Sequence, residues 1–197
     1  MRQGSFKDAH AFTAKWEGGL TDHKYDRGGI TAYGASIAFV QDIARTASGR
    51  NFLQAIGVPL PVTKEVIRGL TPEQAAAMFR REFWDALRLD ELPFRQAAML
   101  YDAAVNSGRA QAVKLSQRGY NNCITHGVKL SVDGILGPLS RKALQIDTDK
   151  VVKAIIQARR EFYQSIVASK PDQRVFLKGW LNRANDLEKM LLGKETA

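Results

Sequence analysis

Residues 16–34 read WEGGLTDHKYDRGGITAYG, and within this stretch the chain changes from a helical pattern to a series of turns. Before it, apolar residues recur at helical spacing from Phe6 to Trp16, behind Ser5, whose residue type favours helix N-termini. The two glycines of WEGG then end the helix, because glycine readily adopts backbone conformations that do not continue one. The pattern therefore predicts an N-terminal helix that stops in front of a turn-rich segment.

The remaining pattern is dominated by helices. Segment 20–33 combines short β-prone pieces with Gly, Tyr and Asp, which favours a small hairpin or an ordered loop. A second helix is predicted over 35–47, and the glycines and prolines of 48–62 indicate a loop. Residues 71–74, Thr-Pro-Glu-Gln, have the pattern of a capping box with proline in the first helical turn. Further helices are predicted from Pro93 to Ser107, over 109–119, from Pro138, over 149–168 and over 175–192.

The composition is that of a globular chain with an excess of positive charge. Its 197 residues are 45% hydrophobic and 25% charged, which suits one domain, or one domain with a small subdomain. The 29 Lys and Arg outnumber the 20 Asp and Glu, and the net charge of +9 favours polyanionic partners. These positive residues are scattered, and no zinc-finger, RNA-binding or basic-zipper signature occurs. Nucleic acid is therefore not expected as a partner.

Several classes of site and location are not expected from the sequence. Cys123 is the only cysteine, which excludes an intrachain disulfide. The three histidines lack metal-ligand spacing, and no phosphate-binding glycine loop occurs, so neither a metal nor a cofactor is expected. No stretch approaches the roughly 18 apolar residues of a membrane span, and the first twenty residues lack the apolar run of a signal peptide. We expect a monomer without stable membrane insertion.

Glu17 and Asp26 are a candidate pair of catalytic carboxyl groups. Glu17 ends the apolar helix, where partial burial is expected, and a partly buried carboxyl group holds its proton near neutral pH. Asp26 follows in the turn-rich segment, where backbone and solvent keep it ionised, and Thr31 offers a hydroxyl to hold a water. One protonated and one ionised carboxyl group beside a cleft suit glycoside hydrolysis. The alternative is that Glu17 is an exposed helix-end residue and that the glycines only cap the helix.

An opening block and six further blocks in order along the chain resemble glycoside hydrolase family 108, a family of phage endolysins and bacterial muramidases. The first block combines Glu-Gly-Gly at 17–19 with Asp-x-Gly-Gly-x-Thr-x-x-Gly at 26–34. The others include Leu70-Thr71-Pro72-Glu73-Gln74-Ala75, Phe83-Trp84, Leu92-Pro93, Asp102-x-x-Val105-Asn106-x-Gly108, Val132-Asp133-Gly134-x-x-Gly137-Pro138 and Gly179-Trp180-x-x-Arg183.

The resemblance implies a role for each residue of the first block. The family's Glu-Gly-Gly glutamate is the catalytic acid, which corresponds to Glu17. The spacing is also similar to the Glu/Asp/Thr triad of phage-type lysozymes, in which the second carboxylate orients a water and the anomeric centre inverts. This similarity implies water-holding roles for Asp26 and Thr31. The implied fold class is mainly α, a lysozyme-like helical domain with a small β-hairpin near the N-terminus.

The resemblance also implies two regions packed as one globular unit. Residues 1–92 are the catalytic glycoside hydrolase region, and residues 93–197 form a helical, peptidoglycan-binding-like region. Residues 132–138 resemble the turn of small peptidoglycan-binding helical modules. On the last helix, Trp180 is expected to pack in the interior and Arg183 to buttress an acidic group.

Four further residues are candidates for the cleft or the core. Asp102 and Asn106 are four residues apart, on one face of a helix, and are expected to line a sugar groove opposite Glu17. The alternative is that Asp102 pairs locally and Asn106 ends its helix. Tyr33 is expected in the cleft as a sugar-binding residue, whereas Trp84 is expected in the core.

The function expected from these features is a peptidoglycan hydrolase of the lysozyme type. It would cleave the β-1,4 bond between N-acetylmuramic acid and N-acetylglucosamine, with peptidoglycan strands as its partner. A non-catalytic peptidoglycan-binding or secretion-accessory module and a chitin hydrolase remain alternatives. Without a signal peptide, the chain fits a bacteriolytic phage endolysin that is made in the host cytoplasm and acts in the periplasm or cell wall after release. A bacterial muramidase exported by a dedicated route remains open.

Overall fold

The computed structural model describes residues 5–18 and 30–193. Within them the chain forms ten α-helices and one two-stranded antiparallel sheet near the N-terminus, which confirms the mainly α class. The elements are α1 (Phe6–Glu17), β1 (Thr31–Ala32), β2 (Ala35–Ser36), α2 (Ile37–Ala44), α3 (Ala47–Ala55), α4 (Lys64–Arg68), α5 (Pro72–Phe79), α6 (Phe94–Ser107), α7 (Arg109–Cys123), α8 (Pro138–Ala143), α9 (Asp149–Ser169) and α10 (Arg174–Leu192).

The chain divides into two compact units. The first comprises His10–Glu82, and the second comprises the residues before His10 together with those from Phe83 onward. The boundary expected after residue 92 falls inside the second unit. The compact units are separated instead between Glu82 and Phe83, within the helical stretch that continues α5. The packing of the chain as one globular unit stays a prediction. No helix of the described residues is both long and apolar enough to cross a membrane.

The hairpin of the first unit lies slightly later in the chain than predicted. Thr31 pairs with Ser36 and Ala32 pairs with Ala35, so residues 35 and 36 belong to a strand and not to the second helix. Tyr33 and Gly34 form the turn with φ values of 50° and 80°, and positive φ at both central residues is what a type I′ hairpin turn requires. The Ser36 hydroxyl then accepts from the Phe39 backbone N–H at 3.2 Å, which caps α2 directly after the sheet.

The prediction of a loop over 48–62 is wrong for its first half. Residues 47–55 form α3, whose first turn is capped by the Thr46 hydroxyl, which accepts from the Gly49 N–H at 2.9 Å. Gly49 is a breaker in the sequence pattern, but here it allows close packing. A Cβ built on it would lie 1.8 Å from the Ile43 carbonyl oxygen. Its lack of a side chain is therefore what lets α3 approach α2.

The capping box at the start of α5 is confirmed. The Thr71 hydroxyl accepts from the Gln74 N–H at 3.2 Å, and the Gln74 side chain accepts from the Thr71 N–H at 2.9 Å. A π-helical turn, Arg80–Asp85, continues α5. A π-helix has more residues per turn than an α-helix, so side chains after Arg80 point in other directions than they would in a continued α-helix. Trp84 is fully buried in the second unit, as predicted for the core.

The second unit is built on four helices that pack in sequence. Helix α6 packs on α7, α7 on α9, and α9 on α10. Gly119 sets the approach of α7 to α9, because a Cβ there would lie 2.4 Å from the Ile155 Cα. Phe6, Trp84 and Tyr101 pack edge to face, with ring centroids 5.6–5.7 Å apart. The Trp84 indole N–H donates to the Asp90 carboxylate at 2.9 Å, which satisfies this buried polar group.

Candidate active site and a buried ion network

Glu17 is the last residue of α1 and is half-buried, as the sequence predicts. The hairpin turn lies directly against its side chain. A Cβ built on Gly34 would come within 2.7 Å of the Glu17 Cβ and 3.2 Å of its Cγ. The same atom would be 3.2 Å from the ring of Phe79. Only glycine permits this approach, so Gly34 sets the position of the turn beside the carboxyl-bearing side chain.

Aromatic side chains of the same unit form an apolar wall beside this contact. Phe79 is buried and stacks on Phe39, with ring centroids 5.4 Å apart. The His10 ring lies 5.9 Å from Phe79, and burial lowers the pKa of His10. The neutral imidazole of His10 and the phenyl rings of Phe39 and Phe79 therefore form a cluster that is less polar than water.

The other predicted catalytic residues are Thr31 and Asp26, and the structure describes only Thr31. Thr31 begins β1 and is half-buried, on the face of the hairpin opposite the buried pair Ala32 and Ala35. Asp26 lies outside the described residues, so its role stays a prediction. Tyr33 is 42% exposed at the turn and holds a positive φ, which is uncommon for a residue with a side chain. An exposed, backbone-constrained ring next to Gly34 suits the predicted contact with a sugar face.

Asp102 does not line a groove, and this part of the sugar-groove prediction is wrong. Its side chain is fully buried, and both carboxylate oxygens are occupied. Arg159 donates to Oδ2 at 2.6 Å, and Arg183 donates to both oxygens at 2.8–3.1 Å. Burial alone would raise the pKa of Asp102, but the two guanidinium groups outweigh burial and hold it below its ordinary value. Asp102 therefore pairs with other side chains, but its partners are the distant Arg159 and Arg183, so the alternative of local pairing does not describe it either. The expectation that Arg183 buttresses an acidic group is confirmed.

Asn106 is connected to this ion network through Tyr163. The Nε–H of Arg159 donates to the Tyr163 hydroxyl at 2.6 Å, and that hydroxyl donates to the Asn106 Oδ1 at 2.6 Å. Asn106 itself is half-buried, so it can still meet a ligand where Asp102 cannot. Tyr163 is 1% exposed, and its ring stacks on Trp180 at 5.4 Å.

Arg159 and Tyr163 were not predicted from the sequence to belong to this network. Both lie on the apolar face of α9, together with Val152, Ile155 and Ile156. A charged residue on an otherwise apolar helical face indicates a buried partner of opposite charge. That signal was present, but the sequence does not show which acidic residue provides the partner.

A family model described as Glycosyl hydrolase 108 matches residues 10–108. The chain belongs to the glycosyl hydrolase 108 family. A second model, described as Predicted Peptidoglycan domain, matches residues 111–185. The two matches confirm the resemblance noted in the sequence and support a glycosidase that acts on peptidoglycan.

One solved structure of similar fold is SagA of Brucella abortus. The TM-score is 0.73 over 98% of this chain and 96% of that chain, at 23% sequence identity. At this identity the likeness supports the fold and carries no residue roles. No curated protein matches the chain. Among the described residues, no group of three or more His, Cys, Asp or Glu side chains is placed to hold a metal ion.

Proposed function

We propose that this member of glycosyl hydrolase family 108 is an N-acetylmuramidase with Glu17 as its general acid. It cleaves the β-1,4 bond between N-acetylmuramic acid and N-acetylglucosamine. The observation that carries the proposal is the position of Glu17, half-buried at the end of α1 with Gly34 of the hairpin against its Cβ and Cγ. The helix end and the turn confine the base of the Glu17 side chain, which restricts where its carboxyl group can lie, as the role of proton donor to a bound sugar chain requires.

The proposed mechanism uses the side chains of the N-terminal unit. Glu17 protonates the glycosidic oxygen as its bond to the anomeric carbon breaks, and positive charge develops on the sugar ring. Asp26 and Thr31 orient a water, and Asp26 accepts a proton from it as it attacks the opposite face of the ring, so the anomeric centre inverts. Tyr33 stacks on a sugar face at the turn. No metal or cofactor takes part in this scheme.

The proposed biological role is lysis of the bacterial cell, as an endolysin or a related muramidase. Its substrate lies outside the cytoplasmic membrane, so the proposed place of action is the periplasm or the cell wall. The net charge of +9 favours approach to the anionic bacterial envelope.

Replacement of the proposed acid tests the mechanism. We expect Glu17→Gln to lower turnover on purified peptidoglycan by about 10²–10⁴-fold, because the amide keeps the shape of the side chain but has no acidic proton. The matched control is Glu73→Gln, at an exposed glutamate in the first turn of α5. Circular dichroism and thermal melting check that both variants fold. A Glu17→Gln protein with wild-type turnover would remove Glu17 from the mechanism.

Product analysis tests the bond that is cut. Mass spectrometry of peptidoglycan digests should show fragments with N-acetylmuramic acid at the reducing end. Digestion in heavy-oxygen water, with anomers resolved at early times, should show inverted products. Release of products from chitin but not from peptidoglycan would favour the chitinase alternative. Retention on cell walls without new reducing ends would favour a non-catalytic binding module.

A further inference from the structure

The side-chain amide of Asn106 is oriented by a directional chain of hydrogen bonds. The chain begins at Asp102, which binds Arg159, and Arg159 donates its Nε–H to the Tyr163 oxygen at 2.6 Å. A phenol has one proton. Because its oxygen already accepts from Arg159, that proton is available to donate to Asn106, 2.6 Å away.

The alternative orientation of the amide is unfavourable. If the Asn106 nitrogen faced Tyr163, the phenol would accept two hydrogen bonds and its own proton would have no acceptor there. An unsatisfied hydroxyl proton on a side chain that is 1% exposed is strongly unfavourable, because the buried donor loses water without gaining a partner. The Ser107 hydroxyl also donates to the Asn106 Oδ1, at 3.0 Å, which is compatible with this orientation. Tyr163 selects the orientation, because the Ser107 hydroxyl can accept as well as donate. Two donors therefore hold the amide oxygen inward.

The amide nitrogen of Asn106 is left at the opposite end. Within residues 5–18 and 30–193 it donates to no acceptor. Among these residues, two buried side-chain atoms have no hydrogen-bond partner, namely Gln111 Nε2 and Arg159 Nη2. The Asn106 nitrogen is not one of them. The Asn106 nitrogen is therefore not fully enclosed by protein, and its N–H groups have no acceptor among these residues.

Near neutral pH the hydrogen-bond chain from Asp102 to Asn106 keeps one charge state. Burial raises the pKa of Tyr163, although the neighbouring Arg159 acts in the opposite direction. The guanidinium groups of Arg159 and Arg183 keep Asp102 ionised. Tyr163 therefore remains a donor and Asp102 remains an acceptor wherever the protein is folded near neutral pH, so the direction of the chain does not reverse.

We propose that Tyr163 is a positioning residue that holds the Asn106 amide with its N–H groups outward, as donors to the acetamido carbonyl of a peptidoglycan sugar. The substrate class rests on the proposed function. Asn106 makes the contact, and Tyr163 acts through Asn106. The rigid orientation favours binding because the amide does not have to be ordered when the glycan arrives. A neutral donor pair matches a neutral carbonyl oxygen.

The test compares retention on two forms of cell-wall sacculi, native and chemically N-deacetylated. Every variant is made in a Glu17→Gln background, so that no turnover is needed and the bound state is measured directly. Deacetylation removes the carbonyl oxygen and adds a positive charge, which weakens the binding of any basic protein. The informative quantity is therefore the affinity for native sacculi divided by the affinity for deacetylated sacculi. This ratio is compared between each variant and the Glu17→Gln background protein.

We expect Asn106→Ala to lower this ratio by about three- to tenfold, the amount associated with one neutral hydrogen bond. Tyr163→Phe keeps the ring against Trp180 and should lower the ratio in the same direction, by less. In the double variant, Tyr163→Phe should add nothing, because its effect passes through Asn106. The matched controls are Tyr120→Phe, at another buried tyrosine, and Asn51→Ala, at an exposed asparagine of α3. Both should keep the background ratio.

Different failures lead to different conclusions. Retention with an unchanged ratio in Asn106→Ala or Tyr163→Phe overturns the positioning proposal and leaves the proposed function standing. Absence of retention on native sacculi in every protein, the background included, counts against peptidoglycan as the substrate. If Tyr163→Phe does not fold, Asn106→Asp decides, because it keeps an acceptor for Tyr163 but loses the outward donors. A background ratio in Asn106→Asp would overturn the proposal.

Discussion

Asp102 shows how burial changes the role of a residue. A carboxylate on the same helix face as an asparagine resembles a ligand-binding group in the sequence. In the structure it is enclosed by two guanidinium groups, 2.6–3.1 Å from its oxygens. The three side chains Asp102, Arg159 and Arg183 join α6 to α9 and α10, so this carboxylate organises the helical unit instead of contacting a sugar.

Asp102→Asn should destabilise the protein by about 3–5 kcal/mol, because two buried guanidinium groups would lose the charge that compensates them. The free energy of unfolding in urea measures the loss. The matched control is Asp42→Asn, in an exposed pair with Arg45 at 3.1 Å whose side chains are 67% and 81% exposed. That control should change stability by less than about 0.5 kcal/mol. Equal effects of the two variants would contradict the structural role of Asp102.

The lowered pKa of Asp102 also makes stability depend on pH. The unfolded chain binds a proton near the ordinary value of 3.8, whereas the folded chain binds it only at lower pH. This contribution to stability is therefore present above pH 3.8 and is lost as the pH falls through the folded-state pKa. In Asp102→Asn, the acid dependence of the free energy of unfolding should be shallower below pH 4. Parallel curves for the two proteins would argue against this assignment.

Gly34→Ala should lower kcat through its contact with Glu17, in addition to any loss in the free energy of unfolding. The new Cβ would lie 2.7 Å from the Glu17 Cβ, in a backbone conformation with φ of 80°, so the turn or the Glu17 side chain must move. A displacement of about 1 Å at a catalytic group can cost about 10²-fold in rate, so we expect kcat on peptidoglycan to fall by about tenfold or more.

The matched control for Gly34 is Gly57→Ala. Gly57 has a similar φ of 76°, but a Cβ there would meet only the Gln74 amide at 3.5 Å, an ordinary contact. Both variants share the backbone strain of about 1–2 kcal/mol, and only Gly34→Ala disturbs Glu17. Similar kcat values for the two variants would show that the approach of the turn to Glu17 does not matter for activity.

At the scale of elements, helix ends were predictable because they depend on local chemistry. The capping box at Thr71, the stop at Gly108 and the proline start of α8 are all found where the sequence places them. Helix α3 was missed, since its Gly49 was interpreted as a breaker. The reason for that glycine is a close contact with the Ile43 carbonyl, a tertiary feature that residue propensity does not contain.

Two helical glycines should respond oppositely to alanine. Gly119→Ala would place a Cβ 2.4 Å from the Ile155 Cα, where the backbone of α9 cannot yield without moving the whole helix. We expect a loss of at least about 2 kcal/mol in the free energy of unfolding. Gly179→Ala, on an exposed part of α10 with nothing within 4 Å of the new atom, should instead gain about 0.5–1 kcal/mol. A destabilised Gly179→Ala or a neutral Gly119→Ala would contradict this packing.

At the scale of the whole molecule, the net charge of +9 predicts salt-dependent binding to the cell wall. Raising the ionic strength from 0.01 to 0.15 M shortens the Debye length from about 30 Å to about 8 Å, which screens attraction to an anionic polymer. Retention of the Glu17→Gln protein on sacculi should fall severalfold, while the thermal unfolding midpoint changes little. Uncharged chitin beads provide the comparison polymer, and an equal loss on both polymers would remove charge as the cause.

The sequence by itself determined the helical class, most helix ends and the family, because these depend on periodicity, capping chemistry and ordered motifs. It also placed Glu17 at a helix end in front of two glycines. Only the tertiary structure decided what surrounds each polar residue, since burial and partners depend on side chains far apart in the chain. Asp102 meets Arg159 and Arg183 in this way, and the same packing brings Gly34 onto Glu17 and Tyr163 onto Asn106.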